Sequence, residues 1–580
     1  MHGWRGRLLH VDLEEGTFRI EPLPPEVLAA WIGGRGLGLR LLRDDFARDP
    51  LDPRAPVVFA AGALCGTEGP ACGRAAVVFR SPLTGTIFDA SVGGLFGARL
   101  KGAGFDALRI AGARPRPAAL AVSPAGAEIL PAEALWGRSA TEAGRVLAAG
   151  GAAGAAIGPA GERGVLYAAL VTSDGHAAGR GGPGAVLGAK RLKGVAVRGE
   201  IPVPIADPAR FERARADLLR LFRASPPLFG EFGFRRHGTA ALVDLADRLG
   251  ITPAENFRRS RFEGSARYNA AAVRARFGEA PLAAGDCLLG CRRRGAGGRP
   301  LPGYGTLSCF GALNGIDDLG AIADAAASCA ELGLDTISAA ATLAAWGEAR
   351  GRFAAAGELG GLLRDAALRR GTGDLLAQGS RRLARALGRP ELSMTVKGLE
   401  LTAYDPRGAL GSALACAVSV RGGGDPPAYT LGPELLRRPA AVDRLSLDGK
   451  AWLVKAAEDA EAALDALGAC RFALLGAGLE EYAELLSAAT GREFDAAALA
   501  AAGERIVLAG RLYNAASGFG PEDDTLPARF FEEAAPGRDG SVLQPIDSAR
   551  FAQERERYYR LRRLSAQGVP LDGERLAREP

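Results

Sequence analysis

The sequence predicts an α+β protein with a β-rich N-terminal domain over 1–206 and two mainly helical domains over 207–405 and 406–580. Three observations carry this. Short apolar runs bounded by Gly, Pro or Ser fill the first two hundred residues. At Asp207-Pro208 the texture changes: an Asp N-cap and a Pro at the first helical position open a run of helical spacing. A chain of 580 residues also needs three or four folding units at roughly 100–200 residues each.

Taken in order, 7–13 and 17–22 flank an Asp-Leu-Glu-Glu-Gly turn and read as a hairpin. Runs 57–61, 75–80, 107–111, 119–122, 164–171, 192–197 and 201–205 are further strands by composition, while 24–42 and 139–149 look helical. The Ala/Gly-rich stretch 148–156 leads into a strand-like run. Beyond Asp207 the helical patterns are 209–223, 318–332, 339–349, 375–387, 450–467 and 480–489. Pro- and Gly-rich breaks near 300–305 and 422–427 interrupt them. No repeat of solenoid period is present.

Hydrophobic residues at 48% and charged residues at 24% are ordinary for a globular chain, which excludes wholesale disorder. A net charge of +6 gives no argument for nucleic acid. No apolar run reaches the roughly 18–20 residues of a membrane span. The N-terminus lacks a secretory core and meets acid at Asp12, so a cytoplasmic location is expected. Eight cysteines are too few for a disulfide scaffold and read as thiols or ligands. Four histidines exclude a His-rich metal site and leave acid–base work to carboxylates or water. Gly, at 81 residues, is about twice its usual ~7% and is clustered, which points to something bound close to the backbone.

Cys287 and Cys291 lie in Gly-Asp-Cys-Leu-Leu-Gly-Cys-Arg-Arg-Arg-Gly. Two thiolates followed by cations suit an iron–sulfur cluster; the plainer reading is two helix-spaced small hydrophobes beside a solvated basic face. Cys470 is the best distant partner. Cys65, Cys72, Cys309, Cys329 and Cys416 lie among apolar or small residues and read as core thiols. Glycine clusters at Gly33–Gly38, Gly93–Gly97 and Gly175–Gly182 are each tight turns by default. Together, with Arg74 and Arg180 nearby, they favour an anionic ligand held by backbone N–H groups. Asp335 and Asp465 follow or end helix-like runs with a Gly stop and read as ordinary helix-end residues.

These segments, with Trp4-Arg5-Gly6-Arg7, Arg80-Ser81-Pro82-Leu83-Thr84-Gly85, Gly188-Ala189-Lys190, Leu332–Ser338, Leu399–Gly408 and Asp523–Pro527, resemble the aldehyde ferredoxin oxidoreductase family, collinearly along essentially the whole chain. The resemblance implies a tungsten or molybdenum bis-pyranopterin cofactor on the N-terminal domain, with Mg2+ bridging the pterin phosphates. It also implies a 4Fe–4S cluster beside one pterin. The implied reaction is oxidation of an aldehyde to a carboxylic acid, with ferredoxin or another iron–sulfur carrier as acceptor. Arg74, Ser91, Gly93, Gly94, His176, Ala177, Gly179, Asp335, Asp465 and Ala469 fall on pterin-contacting positions. Cys287, Cys291 and Cys470 fall on cluster-ligand positions.

The sequence departs from the family pattern at the reactive groups. Ala284 replaces a further cluster Cys, which leaves water, Asp286 or Cys309 as a fourth ligand, or a labile cluster, or none. Gly305 replaces a carboxylate near the metal. Asp425 stands where a catalytic His is usual, Pro427 where a Lys is, and His176 where an Arg is common. Asp425 is the candidate general base; the plain alternative is a loop carboxylate before a Pro-Pro turn. A rival reading is a non-catalytic or cofactor-poor paralogue within a larger redox complex. Another keeps the cofactor but changes the reaction, for example to reduction of an activated aromatic acid. A homodimer and a redox-complex subunit are both compatible with the chain. The Glu-x-x-His interface iron site of some members is absent, with Asp324 and Ser328 near those places.

Overall fold

Two six-stranded sheets form the N-terminal part of the computed structural model, which describes residues 1–282, 287–424, 428–537 and 540–573. The first sheet contains β1 (Arg7–Asp12), β2 (Thr17–Pro22), β3 (Val57–Ala61), β4 (Ala75–Arg80), β5 (Ile87–Val92) and β6 (Ala107–Ala111), in the order β2-β1-β6-β3-β4-β5. The second contains β7 (Ala118–Ser123), β8 (Gly126–Pro131), β9 (Ala153–Ile157), β10 (Leu170–Thr172), β11 (Ala177–Ala178) and β12 (Leu192–Val197), in the order β11-β10-β9-β12-β7-β8. Pairing is antiparallel except for β1 with β6 and β12 with β7. β3 is buried at every position, which explains its unbroken apolar run. Helix Gly34–Leu42 packs on β3 and β4, and a Cβ on Gly38 would lie 2.3 Å from Val78 Cγ2. Only glycine allows that approach.

The two large sheets end at Val197, and from Pro208 helices dominate, with only short two-stranded ribbons among them. The Asp207 carboxylate accepts from Arg210 N at 2.9 Å, the cap that the sequence announces. Helix Lys450–Leu467 matches its sequence prediction, and helix Leu319–Leu332 starts on the Asp318 cap. Several elements differ from the sequence reading. The stretch 24–42 splits into Pro25–Trp31 and Gly34–Leu42 at Ile32, whose φ is +63°. The Gly33–Gly38 cluster is therefore the start of a helix and not a loop. The stretch 375–387 splits at Gly379, φ +82°. The run 201–205 forms no strand, because Pro202 and Pro204 lack ladder donors. Of 164–171, only the end joins β10. β5 escapes the sequence pattern because Asp89 and Ser91 break its apolar run. Helix Ala496–Ala516 escapes it because alanine on nearly every side leaves little amphipathic contrast. No helix among the described residues is long and apolar enough to cross a membrane.

The two ends of the chain meet in one seam. Ala63 N donates to Ala466 O (3.1 Å), Leu64 N to Leu467 O (3.0 Å), Arg74 N to Gly468 O (3.0 Å) and Cys470 N to Ala71 O (3.0 Å). The seam is glycine-tight: a Cβ on Gly62 would stand 2.2 Å from Gly468 Cα, and one on Gly34 would stand 2.2 Å from Asp465 O. Gly62→Val is expected to destabilise the protein by about 3 kcal/mol, through backbone overpacking. Gly361→Ala, on an exposed helix face with open space around it, should instead raise stability by up to about 1 kcal/mol. Chemical denaturation of both variants checks the contrast.

Candidate functional site

Cys470 is the fixed point of the site. It lies just beyond Gly468, the left-handed residue (φ 80°) that ends helix Lys450–Leu467. Its sulfur accepts a hydrogen bond from Arg74 Nη2 at 3.4 Å, while Arg74 Nη1 donates to Ser91 Oγ at 3.0 Å. The Cys470 sulfur holds the Arg74 guanidinium above its ordinary value, against the opposing effect of burial.

Cys287 and Cys291 lie on a turn rather than a helix. Gly290 takes a φ of +60°, and the N–H groups of Leu289 and Gly290 are directed at the Cys287 sulfur. Cys291 O accepts from Thr239 N at 3.1 Å, which ties the turn to the neighbouring helical segment. Burial, and then Cys470, raises the Cys287 thiol. Burial with Cys470 and Cys287 pushes the Cys291 thiol up to about 12. Cys470 thus acts on both thiols, and Cys287 acts on Cys291. Among the described residues, no group of three or more His, Cys, Asp or Glu side chains closes around a single metal ion. Three thiols with Arg74 and Arg292 acting on them form a donor set that suits an iron–sulfur cluster. Of the three arginines after Cys291, Arg292 acts on its thiol, whereas Arg293 pairs with Glu279 at 3.1 Å. The charges that act on Cys309 are those of Arg180 and Asp335, so the structure places Cys309 apart from the trio and removes it as a fourth ligand.

A second group of residues surrounds the glycine clusters. A Cβ on Gly94 (φ +75°) would stand 1.7 Å from Asp174 Oδ2, and one on Gly93 would stand 2.7 Å from His176 Cδ2. His176 Nδ1 lies 3.2 Å from Asp174 Oδ1, in the turn between β10 and β11. Burial lowers the His176 pKa, and nearby Arg292 and Arg74 lower it further against the pull of Asp174. Opposite, Asp335 caps helix Thr336–Ala349 by accepting from Ser338 N at 2.9 Å. It therefore starts a helix and does not end one. Arg180 Nη1 donates to Asp335 Oδ2 (3.3 Å) and Nη2 to Glu400 O (2.5 Å). Gly179 leaves room for Asp335, since its Cβ would lie 2.9 Å from Asp335 Oδ1.

Between these groups lies a buried charge quartet. Arg35 Nε is 3.1 Å from Asp89 and its Nη1 is 3.7 Å from Asp465. Arg421 Nε is 2.9 Å from Asp89 and its Nη2 is 3.0 Å from Asp465. The charges balance, but Arg35 Nε and Arg421 Nε meet Asp89 as ion pairs without a well-directed hydrogen bond, and Arg35 Nη1 and Arg180 Nε are buried with no hydrogen-bond acceptor. Buried guanidinium donors with no acceptor, beside glycine-lined backbone, suit a ligand carrying phosphates and polar ring edges.

The structure brings Arg74, Ser91 and Cys470 together by direct hydrogen bonds, and Gly93, Gly94 and His176 by close packing. Gly179 and Asp335 form a separate contact, and Asp465 joins the quartet. Ala177 is exposed, and the Ala469 N–H is engaged on Leu464 O at 2.9 Å, so neither presents a free side-chain group. Asp425, Ala284, Asp286 and Pro427 lie outside the described residues. Sequence reasoning missed Arg35, Asp89, Asp174, Glu400 and Arg421. A signal existed for Asp89 and Ser91, as polar residues in an otherwise apolar strand. None existed for Arg421, whose surroundings come from four distant segments.

Comparison with known proteins places this arrangement among others. A family model described as "Aldehyde ferredoxin oxidoreductase, N-terminal domain" matches residues 8–199, and one described as "Aldehyde ferredoxin oxidoreductase, domains 2 & 3" matches 213–577. Tungsten-containing aldehyde ferredoxin oxidoreductase from Pyrococcus furiosus is 38% identical, covering 98% of this chain and 97% of the relative. Its counterpart from Thermococcus kodakarensis is also 38% identical over 98% and 97%. The WOR-like subunit of an aliphatic sulfonate oxidoreductase of Pyrococcus furiosus is 31% identical over 42% of this chain and 41% of that subunit. Among solved structures, the active site complex BamBC of benzoyl coenzyme A reductase with 1,5-dienoyl-CoA shares the fold. Its TM-score is 0.84 at 22% identity, covering 99% of this chain and 97% of that one.

The lowered His176 pKa has a readable consequence. Below the unfolded value of about 6.5, the unfolded chain takes up a proton that the folded one resists, so stability falls as pH drops from there. His176→Gln should flatten the loss of melting temperature between about pH 7 and 5. The carboxylate limb, near pH 4 and below, should remain.

Proposed function

The chain belongs to the aldehyde ferredoxin oxidoreductase family, and from that premise we propose that it is a tungsten (or molybdenum) bis-pyranopterin oxidoreductase. It oxidises aldehydes to carboxylic acids and passes electrons through an iron–sulfur cluster to ferredoxin. The observation that carries this reading is Arg74, whose single guanidinium spans from Ser91 in the cradle to the Cys470 sulfur. When bound, the metal–pterin centre supplies the two-electron oxidation of the carbonyl carbon.

Around it, the chain's own residues divide the work. Arg35, Arg421 and Arg180 offer donors to phosphate and ring oxygens, and Asp335 and Asp465 offer acceptors to pterin N–H edges. Mg2+ bridging the phosphates would fit the same anionic end. Gly93 and Gly94 let His176 and Asp174 close over the cradle without a side chain between them. Cys287, Cys291 and Cys470 hold the cluster, and Arg74 and Arg292 offset its negative charge. By its sequence position, Asp425 takes the proton of the attacking water or gem-diol. An iron–sulfur protein receives the electrons.

A second reading, a non-catalytic subunit of a redox complex, is favoured by Gly305. The direction its side chain would take meets Ile337 Cδ1 at 3.2 Å and Thr402 Oγ1 at 4.0 Å, so no carboxylate stands there. The WOR-like relative, itself a subunit, points the same way.

Metal and sulfide analysis of anaerobically purified protein separates the two readings. The enzyme reading expects about one tungsten or molybdenum and about four iron per chain, with aldehyde-dependent viologen reduction. Absence of both metals from a host that makes the cofactor supports the subunit reading. Cys470→Ala is expected to lose most of its iron. Asp425→Asn should lose about 10²–10⁴-fold in kcat with its metal retained; unchanged turnover removes Asp425 as the base.

A further inference from the structure

Three thiols hold the cluster in the reading above, and a cubane has four irons to ligate. We propose that Cys72, from the N-terminal domain, supplies the fourth cluster thiolate in place of the residue replaced by Ala284. The inference rests on the cluster reading and adds a ligand to it.

Cys72 lies on the segment that clamps Cys470. Its neighbour Ala71 accepts from Cys470 N at 3.0 Å, and Arg74, two residues on, donates to the Cys470 sulfur at 3.4 Å. Cys72 is thus bracketed by the two residues that grip a cluster ligand. It is buried at 4% exposure, and its Sγ contacts Pro70 O at 3.4 Å and the Tyr482 hydroxyl. That carbonyl already accepts from the Tyr482 hydroxyl at 3.0 Å, so it keeps a partner if the thiol turns away.

The electrostatic neighbourhood agrees with this placement. Burial and the thiols of Cys65, Cys287 and Cys470 together raise Cys72 well above its usual range. Two of those three are cluster positions. By contrast, burial with Arg180 and Asp335 governs Cys309, and burial with Asp335 governs Cys329. Cys65 donates its S–H to Arg74 O at 3.1 Å and is wedged between Gly97 and Gly468, which marks it as a packing thiol.

Ligation itself is a balanced exchange. The Cys72 S–H bond breaks, an S–Fe bond forms, and the proton leaves to solvent with the water displaced from the fourth iron. No electron is transferred. The metal–thiolate bond drives a deprotonation that burial opposes.

The test uses the full chain, purified without oxygen. Iron and sulfide are assayed, and EPR spectra are recorded after dithionite and after mild oxidation. Wild type is expected to hold about four iron with a reduced 4Fe–4S signal, and Cys72→Ala about three iron with an oxidised 3Fe–4S signal. The double variant Cys72→Ala/Ala284→Cys should regain the fourth iron. Cys65→Ala should match wild type.

Wild-type iron and spectra in Cys72→Ala would overturn the ligand assignment and leave the family function standing. Equal iron loss in Cys65→Ala and Cys72→Ala would make Cys72 a packing residue and overturn it. Failure of Ala284→Cys to restore iron would count against it as well. Iron-free wild type would overturn the cluster reading along with it.

Discussion

Four backbone hydrogen bonds between residues 63–74 and 466–470 set the geometry on which the site depends. Nothing in them is chemically special. They matter because each end carries reactive groups within a few residues: Cys72 and Arg74 on one side, Asp465 and Cys470 on the other. The glycines at 33, 34, 62 and 468 make the contact possible, since a Cβ at any of them would stand within about 3 Å of backbone or sulfur across the seam. Close backbone approach, rather than side-chain recognition, brings a helix end from the C-terminal region against the β-rich domain.

The charge quartet of Arg35, Asp89, Arg421 and Asp465 is a second consequence of that docking. Burying four ions is costly unless each has an opposite neighbour, and here each cation lies near both anions. The arrangement is neutral in charge and open in hydrogen bonding. Arg35 Nη1 and Arg180 Nε remain without a hydrogen-bond acceptor. A protein surrounding only itself would bury such donors at a loss; one that surrounds an anionic cofactor would not.

How much of this was legible in the sequence depends on whether the signal is local. Asp207 and Asp318 announce helices because an N-cap is read from its own neighbours. The thiols 287, 291 and 470 stood out in the sequence, where the first pair read either as cluster thiolates or as two helix-spaced small hydrophobes; Gly290 bends the chain into a turn whose N–H groups serve the sulfur, so the helix alternative falls. β5 was hidden because its two polar residues are the ones the site uses. Arg421 and Glu400 were out of reach, since their partners lie tens to hundreds of positions away. Cys72 shows the limit most clearly. In sequence it is one small thiol among glycines, and only the seam with Cys470 changes its meaning.

The pairing of Arg74 with Cys470 spans 396 positions. On a ribosome adding about 5–20 residues per second, the N-terminal half of this contact emerges roughly 20–80 s before its partner exists. During that interval the β3–β4 connection that receives the end of helix Lys450–Leu467 has no partner. A site drawn from both segments cannot close until residue 470 has been added. Any ligand gripped by both segments is therefore enclosed late in synthesis, after the N-terminal sheets have emerged.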